Sequence, residues 1–476
     1  MSKYIGITIG PIFDTMNLSS KPAGLWCASY LFSYMNKQLC EAVRRVYGEK
    51  MSIIVPIHKC DEMYDAGVGM YHDRIIVKVL EEQPASDIIA DLEEKVIAPV
   101  KRQIAENICM LLDDVDEQAK EELYAYFQVY SVCMDIDESQ GIMKEISNRL
   151  DVLELQKQFQ ATNRTNYMLE FLKDNEKIKN CFLTPKNKSQ WQLLKKDGSI
   201  KAIDSLCKAE GPYYAIVQAD GDYMGAVLTA LKSAEDVKAF SEKCMQYATM
   251  AAKEIAAFGG ITIYAGGDDL LFLAPLENAK GNIMELITTL REKFETAFDE
   301  EKYSGCRVSF GIEIVYKNFP LYEALEMARN QLFGTAKSKR NTCAIGIQKH
   351  SGQSAAFAIH DFSEEAGRVI AEKISELISR KKEDFLNSVS KHIGDNKGLF
   401  SLANTRQQIS NLFQNMFDNE MQRKYAGDIQ LIEELFVMTQ TAVSYSEDSK
   451  FAILAVLRMA QLYVKEKEYG NKNITN

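Results

Sequence analysis

The sequence predicts an α+β protein with two related ferredoxin-like domains, a helical and basic connecting region, and a helical C-terminal domain. Two observations carry this. One local plan, a β-rich run ending at a glycine or Gly-Asp turn and then a helical stretch, occurs twice. It appears at KYIGITIG (3–10) with Ala23–Val46, and again at YYAIVQAD (213–220) with Met224–Leu231. Strand, tight turn and helix followed by further strand and helix signals is the pattern of a ferredoxin-like unit. From Ser363 to Tyr469 apolar residues recur at three- and four-residue intervals, as in IAEKISELI and LIEELFVM, which is helical periodicity. The expected divisions are 1–160, 161–210, 211–360 and 361–476.

The first domain continues with a strand at RIIVKVL (74–80), a long helical stretch over roughly 83–127 and a strand near YFQVYSVCMDI (126–136). No cluster of acids accompanies it. Between the two domains, residues 173–201 hold eight lysines against three acids, with Phe182 and Trp191 interleaved. Basic residues with aromatics can grip an RNA backbone and stack on bases; a solvated connector is the plainer reading of the same composition.

A chain of 476 residues exceeds what one hydrophobic core serves, so several domains are required. Its 46% hydrophobic and 26% charged residues are those of a globular protein. No run approaches the roughly 20 apolar residues of a membrane span, and MSKYIGITIGPIFD lacks a secretory signal, so the cytoplasm is the expected location. Ten cysteines without a CxxC pair fit reduced thiols, and the spacings do not suit a zinc ribbon. The net charge of −11 argues against sequence-blind coating of DNA.

The chemistry concentrates in the second domain. In ITIYAGGDDLLFLAP (261–275), Gly266-Gly267 suits a tight hairpin because both residues tolerate positive φ. Asp268 and Asp269 then project from the turn, and two adjacent carboxylates repel unless a cation lies between them. Magnesium takes a couple of carboxylates, with phosphate and water completing its shell. In AIVQADGDYMGAVL (215–228), Asp220 closes a strand, Gly221 permits close backbone approach, and a helix N-terminus follows, a feature that suits phosphate. Asp220 and Asp268 are 48 residues apart, room for one helix and a returning strand, which sets the carboxylates on neighbouring strands. Two bridged metals could then activate a 3′-hydroxyl and neutralise a leaving pyrophosphate. Asp222 either caps the helix or faces a nucleotide.

A third piece is residues 306–347. A strand leads to Pro320, a helix opens there and ends close to Gly334, and Lys337, Lys339 and Arg340 follow. A lysine in this place could reach the β- and γ-phosphates, or the segment is an ordinary basic turn. The chain has no GxxxxGK[ST] loop, which excludes a P-loop ATPase. The adjacent pair His72-Asp73 reads as the edge of the RIIVKVL strand rather than as a nuclease site.

These segments resemble the large polymerase-like subunit of type III CRISPR effector complexes, most closely the type III-B (Cmr) branch. The matching pieces are ITIGPIFDT, LWCASYLFSY, ADGDYMG, YAGGDDLLFLAP, SFGI with FPLYEALEMA, and GTAKSKRN, so the resemblance covers roughly residues 1–50 and 211–350. It implies two palm-like, nucleotide cyclase-like domains, only the second carrying catalytic acids. It also implies a heteromeric complex with the other Cmr subunits, guide RNA and target RNA. Target RNA would switch on a nucleotidyltransferase making an adenylate second messenger from ATP, either cyclic oligoadenylate or AMP joined to S-adenosylmethionine. By motif, Asp220, Asp268 and Asp269 would hold Mg2+ or Mn2+ with the Gly221 backbone. Gly221, Gly266 and Gly267 would admit phosphate, and Lys337 would contact the triphosphate. Asp222, Gly225 and Arg340 complete the expected nucleotide-binding set. Many relatives begin with a His-Asp nuclease domain; here TIGPIFDT starts at residue 8, so no DNase activity is expected. A silent scaffold subunit and a stand-alone nucleotide cyclase are the competing readings.

Overall fold

The computed structural model describes residues 1–57, 67–81, 83–113, 115–155, 166–181, 191–207, 212–403, 405–444 and 451–464. The expected divisions at 160/161 and 210/211, and Phe182, lie outside them.

The first half opens with strand β1 (Ser2–Gly10) and helix α1 (Pro22–Tyr47). Pro22 begins that helix, where its missing N–H leaves no bond unmade. Strands β2 (Met51–Val55) and β3 (Arg74–Val79) follow, then helical runs over Ala85–Leu92, Glu93–Ile97, Ala98–Cys109 and Glu117–Tyr126, and strand β4 (Gln128–Ile136). The sheet order is β2-β3-β1-β4, with every neighbouring pair antiparallel.

The second half repeats this order. Strand β5 (Tyr213–Asp222) is followed by helices α2 (Met224–Ala230) and α3 (Ala234–Ala257), then β6 (Ile261–Gly266) and β7 (Asp269–Pro275). A small hairpin of β8 (Glu277–Asn278) and β9 (Gly281–Asn282) leads into α4 (Ile283–Ala297) and β10 (Arg307–Tyr316). Side chains cap the two long helices: Ser233 Oγ accepts from Asp236 N at 3.0 Å, and Asn282 Oδ1 accepts from Met284 N at 3.0 Å. In space the strands run β6-β7-β5-β10, the counterpart of β2-β3-β1-β4. Both halves are therefore ferredoxin-like sheets. Beyond β10 the second sheet is extended by β11 (Cys343–Gln348), parallel to β10, by β12 (Ser354–Ile359), and by β13 (Val443–Ser444) from the C-terminal region.

The halves pack reciprocally. Helix α1 of the first half lies on β6 of the second, while α3 of the second half lies on β2 of the first. The Ala265 N–H donates to the Gly69 carbonyl at 2.9 Å, tying the halves together. Trp26 packs against Trp191 with ring centroids 4.8 Å apart, and its Nε1–H donates to the Gly67 carbonyl at 2.7 Å. Trp191 is thus core, buried at 2% exposure, and is not open for stacking on RNA.

Helix α5 (Leu321–Arg329) does not stop near Gly334. It continues through a wider π-type turn at Asn330–Ala336 into Lys337–Lys339. The wide turn presses on Gly311 of β10, where an added Cβ would lie 2.3 Å from Leu332 N. Such turns recur at functional sites. Helices Glu365–Arg380, Glu383–Asp395, Arg406–Met416, Ala426–Ala442 and Ala452–Val464 dominate the C-terminal region, as the periodicity predicts.

Candidate active site

Strand pairing assembles the acids. Ala219 of β5 lies opposite Leu270 of β7, so the next residues outward, Asp220 and Asp269, come level at the sheet edge. The β6–β7 hairpin turns through Gly267 and Asp268, with Gly267 at φ +79°, a conformation that favours glycine. Gly266 pairs with Asp269 across this hairpin. One carboxylate oxygen from each of Asp220, Asp268 and Asp269 lies within 4.8 Å of the others. This is the only such trio found among the described residues.

Gly221 makes that approach possible. A Cβ there would sit 2.5 Å from Asp268 Oδ2, so the space expected for phosphate is taken by the neighbouring carboxylate. Gly225, in the first turn of α2, faces open space.

The electrostatics are those of crowded like charges. Burial in the cleft, and then the charge of Asp220, push the Asp268 carboxyl up to about 6. Asp269 is raised well above the usual carboxylate range by burial, by Asp268 and by Asp220. Because Asp269 keeps solvent-facing surface, repulsion is the part of this penalty that a cation would relieve. Hard oxygen donors without sulfur or imidazole suit magnesium or manganese, so the residues present fit a divalent ion.

Asp222 does not face a nucleotide, nor does it cap α2. It is 1% exposed and fully engaged: Oδ2 accepts from Ser309 Oγ at 2.7 Å and from Asn341 N at 2.8 Å, and Oδ1 accepts from Lys337 Nζ at 2.9 Å. Lys337 lies at the site but on the strand end itself. Its ammonium also donates to the Asp220 and Gly221 carbonyls at 2.9 and 2.8 Å and lies 2.5 Å from Asp220 Oδ2. Arg340 is separate, its guanidinium 4.3 Å from the centre of the Tyr223 ring.

A cleft of about 340 Å3 adjoins the acids and is built from both halves. Pro56, Met70, His72 and Asp73 contribute from the first, and Phe240, Cys244, Gly266, Gly267, Asp268 and Asp269 from the second. His72 precedes β3, as the sequence predicts, yet it belongs to this wall. Burial lowers its pKa, with Asp73 opposing, so it is neutral near pH 7. Ser309, Asn341 and Tyr223 went unnoticed in the sequence, where the His72-Asp73 pair reads only as a strand edge. Asn341 sits within GTAKSKRN and Tyr223 within ADGDYMG, so both were within segments already singled out. Ser309 gave no local signal.

Fold and acids together define a tandem-palm protein whose second palm holds an acidic metal-type site. Residues 213–344 match the Cas10/Cmr2 second palm domain family, and residues 4–128 match the N-terminal family of the CRISPR-associated protein Cmr2. The chain belongs to the Cas10/Cmr2 family. The CRISPR system Cmr subunit Cmr2 of Pyrococcus furiosus is 32% identical over 168 residues, a match spanning 29% of this chain and 19% of that relative. Among solved structures, the type III-B Cmr-beta complex in its apo state aligns with a TM-score of 0.62 at 11% identity, over 98% of this chain and 82% of that one. The Csm1-Csm4 cassette in complex with cA4 aligns with a TM-score of 0.55 at 14% identity, over 97% and 70%. The same cassette in complex with one ATP aligns at 0.55 and 13%, over 97% and 70%. At these identities the structural likeness speaks for the fold.

Proposed function

We propose that the chain is the large subunit of a type III-B CRISPR RNA-guided complex in the cytoplasm, and that it is the complex's metal-dependent nucleotidyltransferase. It would assemble with the other Cmr subunits, guide RNA and target RNA, and would make an adenylate second messenger from ATP once target RNA binds. The single observation that carries this reading is the trio Asp220, Asp268 and Asp269, gathered on one palm of two. We also propose the four units 1–160, 161–210, 211–360 and 361–476 as its working parts.

In this reading Asp220, Asp268 and Asp269 hold Mg2+ or Mn2+. The bound ion would supply the positive charge that favours an ionised 3′-hydroxyl and a departing pyrophosphate. Gly221 lets Asp268 come close enough to share the ion with Asp220. Lys337 holds the β5 end in place and offsets the charge of Asp220 and Asp222. Gly266 and Gly267 set the hairpin that aims Asp268 and Asp269 into the cleft. That cleft has room beside the acids for a second adenine-bearing reactant, another ATP in oligoadenylate synthesis or S-adenosylmethionine in an adenylate conjugate. The reciprocal packing of the two halves supports a site completed within one chain, which weighs against a stand-alone cyclase acting as a homodimer. Three carboxylates this close repel one another unless a cation lies between them, which weighs against a silent scaffold.

The test is the purified complex with magnesium, labelled ATP and cognate target RNA, with and without S-adenosylmethionine, products read by mass spectrometry. Oligoadenylates from ATP alone, or a product needing S-adenosylmethionine, would each identify the messenger. Either should vanish in the Asp268→Ala/Asp269→Ala variant. Absence of product from RNA-bound wild type would leave the scaffold reading.

A further inference from the structure

Residues 69–72 of the first half run alongside the hairpin that carries the acids. Gly69 bridges Tyr264 in the parallel sense, and its carbonyl accepts from the Ala265 N–H at 2.9 Å. Three residues on, the segment is level with the turn: a Cβ added to Gly266 would lie 3.8 Å from the Cβ of His72. Helix α1 holds the segment from behind. Ser33 Oγ accepts from Tyr71 N at 2.9 Å, and the fully buried Asn36 donates from Nδ2 to the His72 carbonyl at 2.6 Å. The backbone of His72 is thus pinned on one side and set against the hairpin on the other.

A further hydrogen bond fixes the ring. Nδ1 accepts from the Arg74 N–H at 3.2 Å, which it can do only without a proton of its own, so the imidazole is neutral and carries its proton on Nε2. Asp73 lies 4.0 Å from Nδ1, too far to hydrogen-bond to that nitrogen. Nε2 makes no hydrogen bond with the described residues, and the side chain is 32% exposed in the cleft wall. His72 therefore offers the cleft one oriented, uncharged N–H donor on the same wall as Asp268 and Asp269.

Charge decides what that donor meets. Around it the first half contributes Pro56 and Met70, with the carboxylate of Asp73. Arg74, the one cation lining the cleft among the described residues, is engaged by Asp151 and Glu154 at 2.5 and 3.3 Å. A phosphate would find no free counter-charge on this side, whereas a neutral hydroxyl would be at no disadvantage. The attacking 3′-oxygen is a poor partner, because a donor there draws on the electron pair that must form the new bond to phosphorus. The 2′-oxygen beside it accepts a hydrogen bond without that conflict.

We propose that His72 is a substrate-binding residue, its Nε2–H donating to the ribose 2′-oxygen of the nucleoside whose 3′-hydroxyl attacks. The inference rests on the nucleotidyltransferase reading of the site. It gives the first half a direct part in that reaction, the choice of a ribose over a deoxyribose acceptor and the placing of that sugar against the acids.

The test is equilibrium binding by the purified, metal-free complex, with adenosine, 2′-deoxyadenosine and 3′-deoxyadenosine as ligands that carry no phosphate and cannot react. Wild type should bind adenosine about fivefold more tightly than 2′-deoxyadenosine. In His72→Asn the amide oxygen can replace Nδ1 as acceptor, but nothing stands where Nε2 was; His72→Gln places an amide N–H there. His72→Asn and His72→Phe should bind adenosine and 2′-deoxyadenosine within about twofold of each other, and His72→Gln should recover most of the preference. The preference for adenosine over 3′-deoxyadenosine should be the same in all four proteins, a pattern that mere loosening of the segment does not produce. No 2′ preference in wild type, a preference unchanged in the Asn and Phe variants, equal weakening of all three ligands, or no binding of adenosine would each overturn the assignment. If wild type also failed to bind ATP in the presence of magnesium, the nucleotide reading itself would fall with it.

Discussion

The ammonium of Lys337 lies 2.5 Å from Asp220 Oδ2, and its other contacts, two carbonyls and the Asp222 carboxylate, belong to the same end of β5. The lysine is thus a built-in counter-charge for the strand that carries the first acid.

Replacing Lys337 with methionine would strand the fully buried Asp222 carboxylate. Breaking a buried pair from one side costs about 3–5 kcal/mol, and the Ser309 and Asn341 hydrogen bonds that remain should hold the loss near the lower end. Lys337→Met is expected to lower the metal-free melting temperature markedly, with magnesium recovering only the share due to Asp220. Thermal denaturation with and without magnesium measures both parts. A melting temperature unchanged by the substitution would mean that Asp222 is stabilised by its neutral partners alone.

Gly221→Ala places a methyl group 2.5 Å from Asp268 Oδ2, in space closed also by the Met224 side chain. The carboxylate must move, and small displacements at a metal site cost about 100-fold in rate. Product formation should fall by roughly that factor with the fold intact by circular dichroism. Gly225→Ala, whose added methyl group meets open space, should stay close to wild type. Equal activity of the two variants would separate the Asp220–Asp268 approach from catalysis.

The acids also predict a pH dependence. Asp268 is pushed up to about 6 and Asp269 is raised well above the usual carboxylate range, by burial first and then by neighbouring carboxylates. Their folded pKa values lie above the unfolded ones, so their contribution to metal-free stability is full below the unfolded carboxylate range and is lost as pH rises through about 6. Metal ligation needs the ionised form, so protons compete with it in the same window. The rise in melting temperature caused by magnesium should be small at about pH 5.5 and grow through about pH 7.5, and Asp268→Asn should remove most of the growth. A metal response flat across this range would show that the trio does not bind the ion.

Much of this site was legible in the sequence because its signals are local. Gly-Gly before two aspartates specifies a hairpin that aims carboxylates, and a strand ending in Asp220 needs only one helix and a returning strand to bring it alongside. The helical C-terminal region and both strand-turn-helix openings were legible for the same reason. What escaped depends on register and on contacts between halves. Pairing with β10 sets Ser309 opposite Asp220 and lets it reach Asp222, and no pattern in SFGIEI marks that serine. The packing of α1 on β6 brings the first half's wall, with His72, to the acids. Asp222 looked like a cap or a ligand because its burial comes from Lys337 and Asn341, more than a hundred residues further along the chain. The helix ran past Gly334 because the wide turn at Asn330–Ala336 fits against Gly311, a tertiary contact that overrides glycine's weak helix propensity.

Glu313 carries the last prediction. It lies on β10 at 1% exposure, packed so tightly against Gly346 that any side chain there would collide with it. Its hydrogen bond is from Gln331 Nε2 at 3.3 Å, and burial raises its pKa to about 8 although that bond opposes the shift. The carboxyl is therefore mostly protonated in the folded protein at neutral pH. Since its folded pKa exceeds the unfolded value, its stabilising contribution is full below about 4.5 and is lost progressively as pH rises toward about 8. The steepest loss is about 1.4 kcal/mol per pH unit. Glutamine has the shape of the neutral acid and can still accept from Gln331, so Glu313→Gln should be nearly neutral at about pH 5 and stabilising at about pH 8. Urea denaturation at those two values, compared with wild type, measures the difference directly. If wild type and Glu313→Gln lose stability in parallel between them, the charge on Glu313 is relieved by a route other than protonation.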